Sequence, residues 1–282
     1  MINFNGMIVA EDANILTQNR AFLYGDAVFE TIKIVKGKVL FLEDHYFRLM
    51  ASMRVVRMEI PMNFTMEYFE EQLVLVANTN GFSDSARVRI TVYRNDGGFY
   101  LPTTNEVSFL IHASFLETQQ YSIVSREYEV DLFKDFYITK QLLSSIKTTN
   151  RMLNTTASIF AYENGLDNCL LLNDSKNVVE AIQGNIFMRL GAKLITPPVS
   201  EGCLNGVMRK QILALAKKIE NIEVVEEIIS PFDLQKADEL FVTNVIKGVQ
   251  PITKYRKKNF SSDIAIQLVQ RLNEQIVSEH SI

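Results

Sequence analysis

Apolar and polar residues alternate over 87–94, where Val88, Ile90 and Val92 stand against Arg87, Arg89 and Thr91. A period of two marks a strand with one buried face. Residues 32–35 and 38–41 flank Lys36-Gly37 and read as the arms of a hairpin. The period then changes. From 41 to about 58 the pattern is helical, and this helix carries His45 and Arg48. A second helix is predicted from about 65 to 78. Its Met66, Phe69, Leu73 and Val76 recur at helical spacing, and Thr65 stands where a cap belongs. Asn95-Asp96-Gly97-Gly98 reads as a turn, and 107–113 as a further strand.

The second half opens with more strands. A helix is predicted over 149–162, ended by Asn164-Gly165. Residues 169–172 and 185–190 read as strands, and 239–243 as a buried one. Asn205-Gly206 turns into a helix with Met208, Ile212, Leu215 and Ile219 on one face. A last helix from about 262 carries Ile264, Leu268, Leu272 and Ile276 in one stripe. Strands interleaved with helices predict an α/β (α+β) chain, by length one large domain or two of ordinary size. As two, the expected division is an N-terminal domain over 1–114, a linker over 115–121 and a C-terminal domain over 122–282.

Composition narrows the classes. The chain has 282 residues, 47% apolar and 22% charged, enough to bury a large core. No apolar run nears the roughly 20 residues of a membrane span. A net charge of −4 argues against nucleic acid as a partner. The start of the chain lacks a basic region followed by an apolar one, so a cytoplasmic location is expected. Two cysteines and three histidines show no metal-binding spacing, and no metal is expected. Lys254, Arg256, Lys257 and Lys258 read as a solvated basic loop.

The chemistry begins at Lys147, in Ser144-Ser145-Ile146-Lys147-Thr148-Thr149-Asn150-Arg151, and at Glu180 in Val178-Val179-Glu180-Ala181. An amine able to form an imine and a carboxylate able to hold a pyridinium proton are what a pyridoxal phosphate enzyme most needs. Such a pair is common. Four further segments make it informative: Arg20-Ala21-Phe22-Leu23-Tyr24-Gly25-Asp26-Ala27-Val28-Phe29-Glu30-Thr31, His45-Tyr46-Phe47-Arg48-Leu49, Leu204-Asn205-Gly206-Val207-Met208-Arg209, and Ala237-Asp238-Glu239-Leu240-Phe241-Val242-Thr243-Asn244. In this order, over roughly residues 2–255, they resemble the class IV (fold type IV) pyridoxal phosphate enzymes. That family holds branched-chain aminotransferases, D-amino-acid aminotransferases and 4-amino-4-deoxychorismate lyases.

The resemblance implies a two-domain fold type IV enzyme with pyridoxal 5'-phosphate in the interdomain crevice. Lys147 would carry the cofactor as an imine and then serve as the general base, which requires a depressed pKa. Glu180 would face the ring nitrogen, with Gln183 and Gly184 beside the cofactor. Arg48 would grip the phosphate with its planar guanidinium. Val207 and Met208 would offer backbone N–H groups at a helix start, and Thr243 and Asn244 would complete the phosphate cup. Tyr24, Phe29, Glu30 and Thr31 would lie near the substrate side, where Arg94 and Arg151 would hold substrate carboxylates.

Two reactions are implied. The local residues favour a lyase converting 4-amino-4-deoxychorismate to 4-aminobenzoate and pyruvate, because Met208, Arg151 and Val242-Thr243-Asn244 fit its pattern. The alternative is a transaminase acting on branched-chain or D-amino acids with 2-oxoglutarate. The partners implied are a small-molecule amino substrate and a second copy of the chain. In that homodimer, residues 100–102 would reach the partner's site.

Overall fold

The hairpin expected at Lys36-Gly37 forms because both residues take left-handed backbone, φ 50° and 73°, the geometry of the tightest hairpin turns. It belongs to a computed structural model that describes residues 1–10 and 18–280, apart from the side chains of 279 and 280. The described chain divides into two compact units, residues 1–119 with 146–150, and residues 120–145 with 151–282.

In chain order the first unit contains β1 (Ile2–Phe4), β2 (Met7–Val9), α1 (Arg20–Tyr24), β3 (Ala27–Val35), β4 (Lys38–Val39), α2 (Leu42–Val55), α3 (Met66–Thr79), β5 (Ser85–Arg94) and β6 (Val107–Phe115). Among the described residues its six strands form an antiparallel sheet in the order β2-β1-β6-β5-β3-β4. The predicted alternation is realised. Val28, Ile32, Val88, Ile90, Val92 and Ile111 pack with Leu49 and Met53 of α2 and with Phe69, Leu73 and Val76 of α3. Thr65 caps α3 by accepting a hydrogen bond from the Tyr68 N–H at 3.2 Å.

The second unit contains β7 (Glu129–Ile138), α4 (Leu142–Ser145), α5 (Met152–Glu163), β8 (Asn168–Asn173), β9 (Val178–Ala181), β10 (Gly184–Leu190), β11 (Lys193–Thr196), α6 (Val207–Ala216), β12 (Glu223–Glu226), β13 (Glu239–Asn244), β14 (Gly248–Ile252), β15 (Lys254–Tyr255), β16 (Lys258–Asn259) and α7 (Asp263–His280). Its described strands form a ten-stranded mixed sheet along the path β12-β11-β10-β9-β8-β7-β15-β16, with β13 joining β10 to β14. β8 is buried along its whole length. Leu170 and Leu172 enter one core with Ile186, Leu240 and Ile252. Leu171 faces Phe133, Ala157 and Ala161 in another. Burial on both faces is why its interior, residues 169–172, reads as an unbroken apolar run between two buried asparagines.

Three sequence expectations change. Helix α5 starts at Met152, not 149, because Ile146–Asn150 pack with the first unit instead of the C-terminal one. Helix α6 ends at Ala216, so Ile219 lies beyond it. The basic loop at 254–258 is a short hairpin in which Lys254 pairs with Glu129 at 2.7 Å. No described helix is long and apolar enough to cross a membrane.

Candidate active site

Lys147 is held by strand-like pairing to β3. The Phe29 N–H donates to the Lys147 carbonyl at 2.8 Å, the Thr149 N–H donates to the Ala27 carbonyl at 3.0 Å, and Val28 bridges Thr148. Side chains opposite each other in such a pair share a face. Accordingly the Lys147 Nζ lies 4.6 Å from the centroid of the Phe29 ring. Arg89 of β5 brings its guanidinium carbon to 3.7 Å from the same centroid. Thr31 is the register partner of Arg89. The first unit thus gathers an amine, a fixed cation, an aromatic ring and Thr31 in one neighbourhood. Arg89 escapes sequence reasoning, because an arginine on the polar side of an alternating strand looks merely solvated.

On the opposite face of β3, Glu30 interrupts the apolar row Val28, Ile32, Ile34. Its carboxylate accepts from Arg48 Nε at 2.7 Å, from Arg48 Nη2 at 2.6 Å and from His45 Nδ1 at 2.8 Å. Burial alone would raise the Glu30 pKa, but the Arg48 charge and the His45 and Arg48 hydrogen bonds outweigh it and hold the value at about 2. His45 is pushed below its ordinary value, by burial first and by the nearby Arg48 and Lys147 charges, against the pull of Glu30. Nδ1 therefore carries the proton shared with Glu30, and the buried Nε2 has no hydrogen-bond partner among the described residues. His45 and Arg48, three apart on α2, reach one carboxylate because that spacing stacks side chains on one helix face.

Arg94 does not fit its expected substrate role. Its guanidinium donates to Asp26 at 3.0 Å, to the Arg57 carbonyl at 3.1 Å, to the Val56 carbonyl at 2.7 Å and to Asn105. Four of the five N–H donors of a buried arginine are spent inside the first unit. Arg94 is a tie between β5 and its neighbouring turns. Arg20 shares Asp26 at 2.9 Å and holds the turn after β5, donating to the carbonyls of Gly97 and Phe99 at 3.0 and 2.7 Å. Beyond that turn Phe99, Tyr100 and Leu101 are all exposed, and the Tyr100 ring lies 5.8 Å from that of Tyr24.

The second unit assembles a different set around Asn185, a residue that sequence reasoning left without a role. Asn185 is the register partner of Glu180 on β9 and of Thr243 on β13. Its side-chain amide donates to the Leu204 carbonyl at 2.8 Å. The buried Glu180 accepts from the Leu204 N–H at 3.0 Å. Gly206 begins α6 without a side-chain cap, and a Cβ there would lie 2.0 Å from Asn185 Oδ1. A Cβ on Gly184 would lie 2.3 Å from the Thr243 carbonyl. Both glycines are required by this close approach.

The expected cofactor residues here divide. The N–H groups of Val207 and Met208 open α6, a helix start that attracts anions. The Thr243 hydroxyl is buried without a partner among the described residues. An uncapped helix start beside an orphaned buried hydroxyl fits a phosphate ester. Asn244 instead accepts from the Ile246 and Lys247 N–H groups at 3.0 and 2.9 Å, so its oxygen closes a turn. Gln183 is exposed in the β9–β10 turn. Arg151 stands at the start of α5 and is part-buried.

Two α/β units, a strand-held lysine and an anion-ready helix start define a fold type IV enzyme dependent on pyridoxal phosphate. The sequence profile of the family described as Amino-transferase class IV matches residues 27–255, and the chain belongs to that family. A protein of Methanocaldococcus jannaschii named as a candidate branched-chain-amino-acid aminotransferase is 30% identical over 284 residues, covering 97% of this chain and 94% of its own. The aminodeoxychorismate lyase of Bacillus subtilis (strain 168) is 27% identical over 268 residues, covering 93% and 89%. The branched-chain aminotransferase of Thermoproteus uzoniensis, solved with norvaline, shares the fold. Its TM-score is 0.86 at 24% identity, over 98% of this chain and 94% of that one.

Proposed function

We propose that this enzyme is a transaminase that moves amino groups between branched-chain or D-amino acids and 2-oxoglutarate. The observation that carries the reading is the Lys147 amine and the Arg89 guanidinium within 4.6 and 3.7 Å of the Phe29 ring. An apolar ring suits an aliphatic substrate side chain, and a fixed cation suits the second carboxylate of 2-oxoglutarate. The 30% identity to the M. jannaschii protein along nearly the whole chain supports the same choice over the lyase.

In this reading Arg48, the N–H groups of Val207 and Met208 and the Thr243 hydroxyl hold the phosphate. Glu180 faces the ring nitrogen, and Gly184 makes room for the pairing around it. Bound pyridoxal phosphate supplies an electron sink for negative charge at the substrate α-carbon. Lys147 anchors the cofactor and then carries the α-proton on Nζ. Tyr24, Thr31 and Arg151 line the substrate side. The enzyme works as a homodimer that covers the exposed apolar tip at Phe99, Tyr100 and Leu101, since a patch of this kind is rarely left in water.

The test mixes the purified protein with pyridoxal phosphate and 2-oxoglutarate. L-leucine, L-valine, L-isoleucine and D-alanine are supplied in turn, and glutamate is assayed. A parallel arm supplies 4-amino-4-deoxychorismate without any keto acid and assays pyruvate. Glutamate formation that Lys147→Ala abolishes is expected. Pyruvate release with no glutamate in any arm would overturn the reading in favour of the lyase.

A further inference from the structure

Glu30 sits where stability alone does not ask for a carboxylate. Its neighbours on the β3 face that meets α2, Val28, Ile32 and Ile34, are all core residues. Glu30 and His45 are fully buried, and of the three charged or titratable side chains in the cluster only Arg48 keeps some access, at 12% side-chain exposure. Buried ion pairs are often no more stabilising than apolar side chains of the same volume. A buried cluster is better explained when its one accessible member has work to do.

We propose that Glu30 is a positioning residue for phosphate recognition, fixing the Arg48 guanidinium by two parallel hydrogen bonds while His45 holds the carboxylate through Oε2. The inference rests on the reading that this chain holds pyridoxal phosphate on Arg48. Two donors of one guanidinium on one carboxylate leave the fork a single orientation. Oxygen Oε2 receives both Arg48 Nη2 and His45 Nδ1, and Oε1 receives Arg48 Nε. A glutamine at position 30 cannot repeat this. Whichever way its amide is turned, the NH₂ group meets a donor of Arg48, so the guanidinium must swing.

Charge and geometry predict opposite outcomes, which makes the idea decidable. Removing a negative charge beside Arg48 should, on Coulomb grounds alone, tighten binding of a dianion. Loss of a fixed orientation should weaken it. The measured quantity is the ratio of affinities for pyridoxal phosphate and for pyridoxal, which lacks the phosphate, titrated spectroscopically on wild type, Glu30→Gln, Arg48→Met and the double variant. Circular dichroism selects folded protein.

Wild type should prefer the phosphorylated ligand, and Glu30→Gln should cut that preference by about tenfold or more, the scale of one charge-assisted hydrogen bond. In the Arg48→Met background the second substitution should change the ratio no further. Three results would overturn the proposal: an unchanged or tightened preference, equal weakening of both ligands, or a loss that persists without Arg48. If Glu30→Gln does not fold, His45→Asn serves, because it withdraws one donor from the same oxygen and should lower the same ratio by a smaller factor. An unchanged ratio in folded His45→Asn would equally overturn the proposal. Failure of wild type to bind either ligand would instead sink the cofactor assignment itself.

Discussion

Glu30 and His45 tie stability to pH in a way that can be read directly. The Glu30 carboxyl is lowered from 4.5 to about 2, so its contribution is complete above pH 4.5 and is lost as pH falls from there toward 2. His45 is lowered from 6.5, so the unfolded chain takes up its proton first and stability falls as pH drops below 6.5. Urea midpoints measured from pH 7 to 3 should decline in wild type. His45→Asn should flatten the upper part of that decline, and Glu30→Gln the lower. Arg94→Lys should cost about 2–3 kcal/mol in denaturation, because an ammonium cannot reproduce the fork to Asp26, Val56, Arg57 and Asn105. The KM for either substrate should stay near the wild-type value, since Arg94 is internal. Lys147 and Glu180 were legible as a chemical pair with ordered neighbours. Arg89 and Asn185 were not, and Glu30 was read toward the substrate although it lies buried against His45 and Arg48 of α2. Each is a polar residue in a strand, and its meaning comes from a cross-strand or helix partner that only the folded register supplies.

Among elements, the glycines at close approaches give the sharpest expectations. Gly184→Ala drives a Cβ toward the Thr243 carbonyl and should destabilise by about 1–3 kcal/mol, measured by chemical denaturation. Lys36→Asn should do the reverse and raise stability by about 0.5 kcal/mol, since Lys36 holds φ 50° in the β3–β4 turn and asparagine tolerates that conformation better. Helices α2, α3 and α7 and strands β5, β6 and β8 were readable because each has a buried face or a buried body that stamps a period on the chain. The pairing of residues 146–150 with β3 was not readable. Those five residues carry no alternation of their own, and their partner lies more than a hundred positions upstream.

For the whole molecule, the expectation of a fold type IV enzyme is met, and the weight of similarity shifts the proposed reaction from lyase to transaminase. Local letters such as Met208 pointed to the lyase, but one side chain at a helix start says little about the substrate. Assembly can be tested separately. Light scattering at micromolar concentration should give the mass of two chains, and Tyr100→Glu should shift the species toward one chain, because a charge on that apolar tip resists burial.

The reliance of β3 on residues 147–149 also bears on synthesis. A ribosome that has released only the first 119 residues has made nearly all of the first unit, yet the stretch Ala27–Phe29 still lacks its neighbour. Its backbone groups stay open to other nascent chains until position 150 has cleared the exit tunnel. Truncated products ending in that window should therefore clump, and the lysine on which the proposed chemistry turns arrives in the same few residues that close the gap.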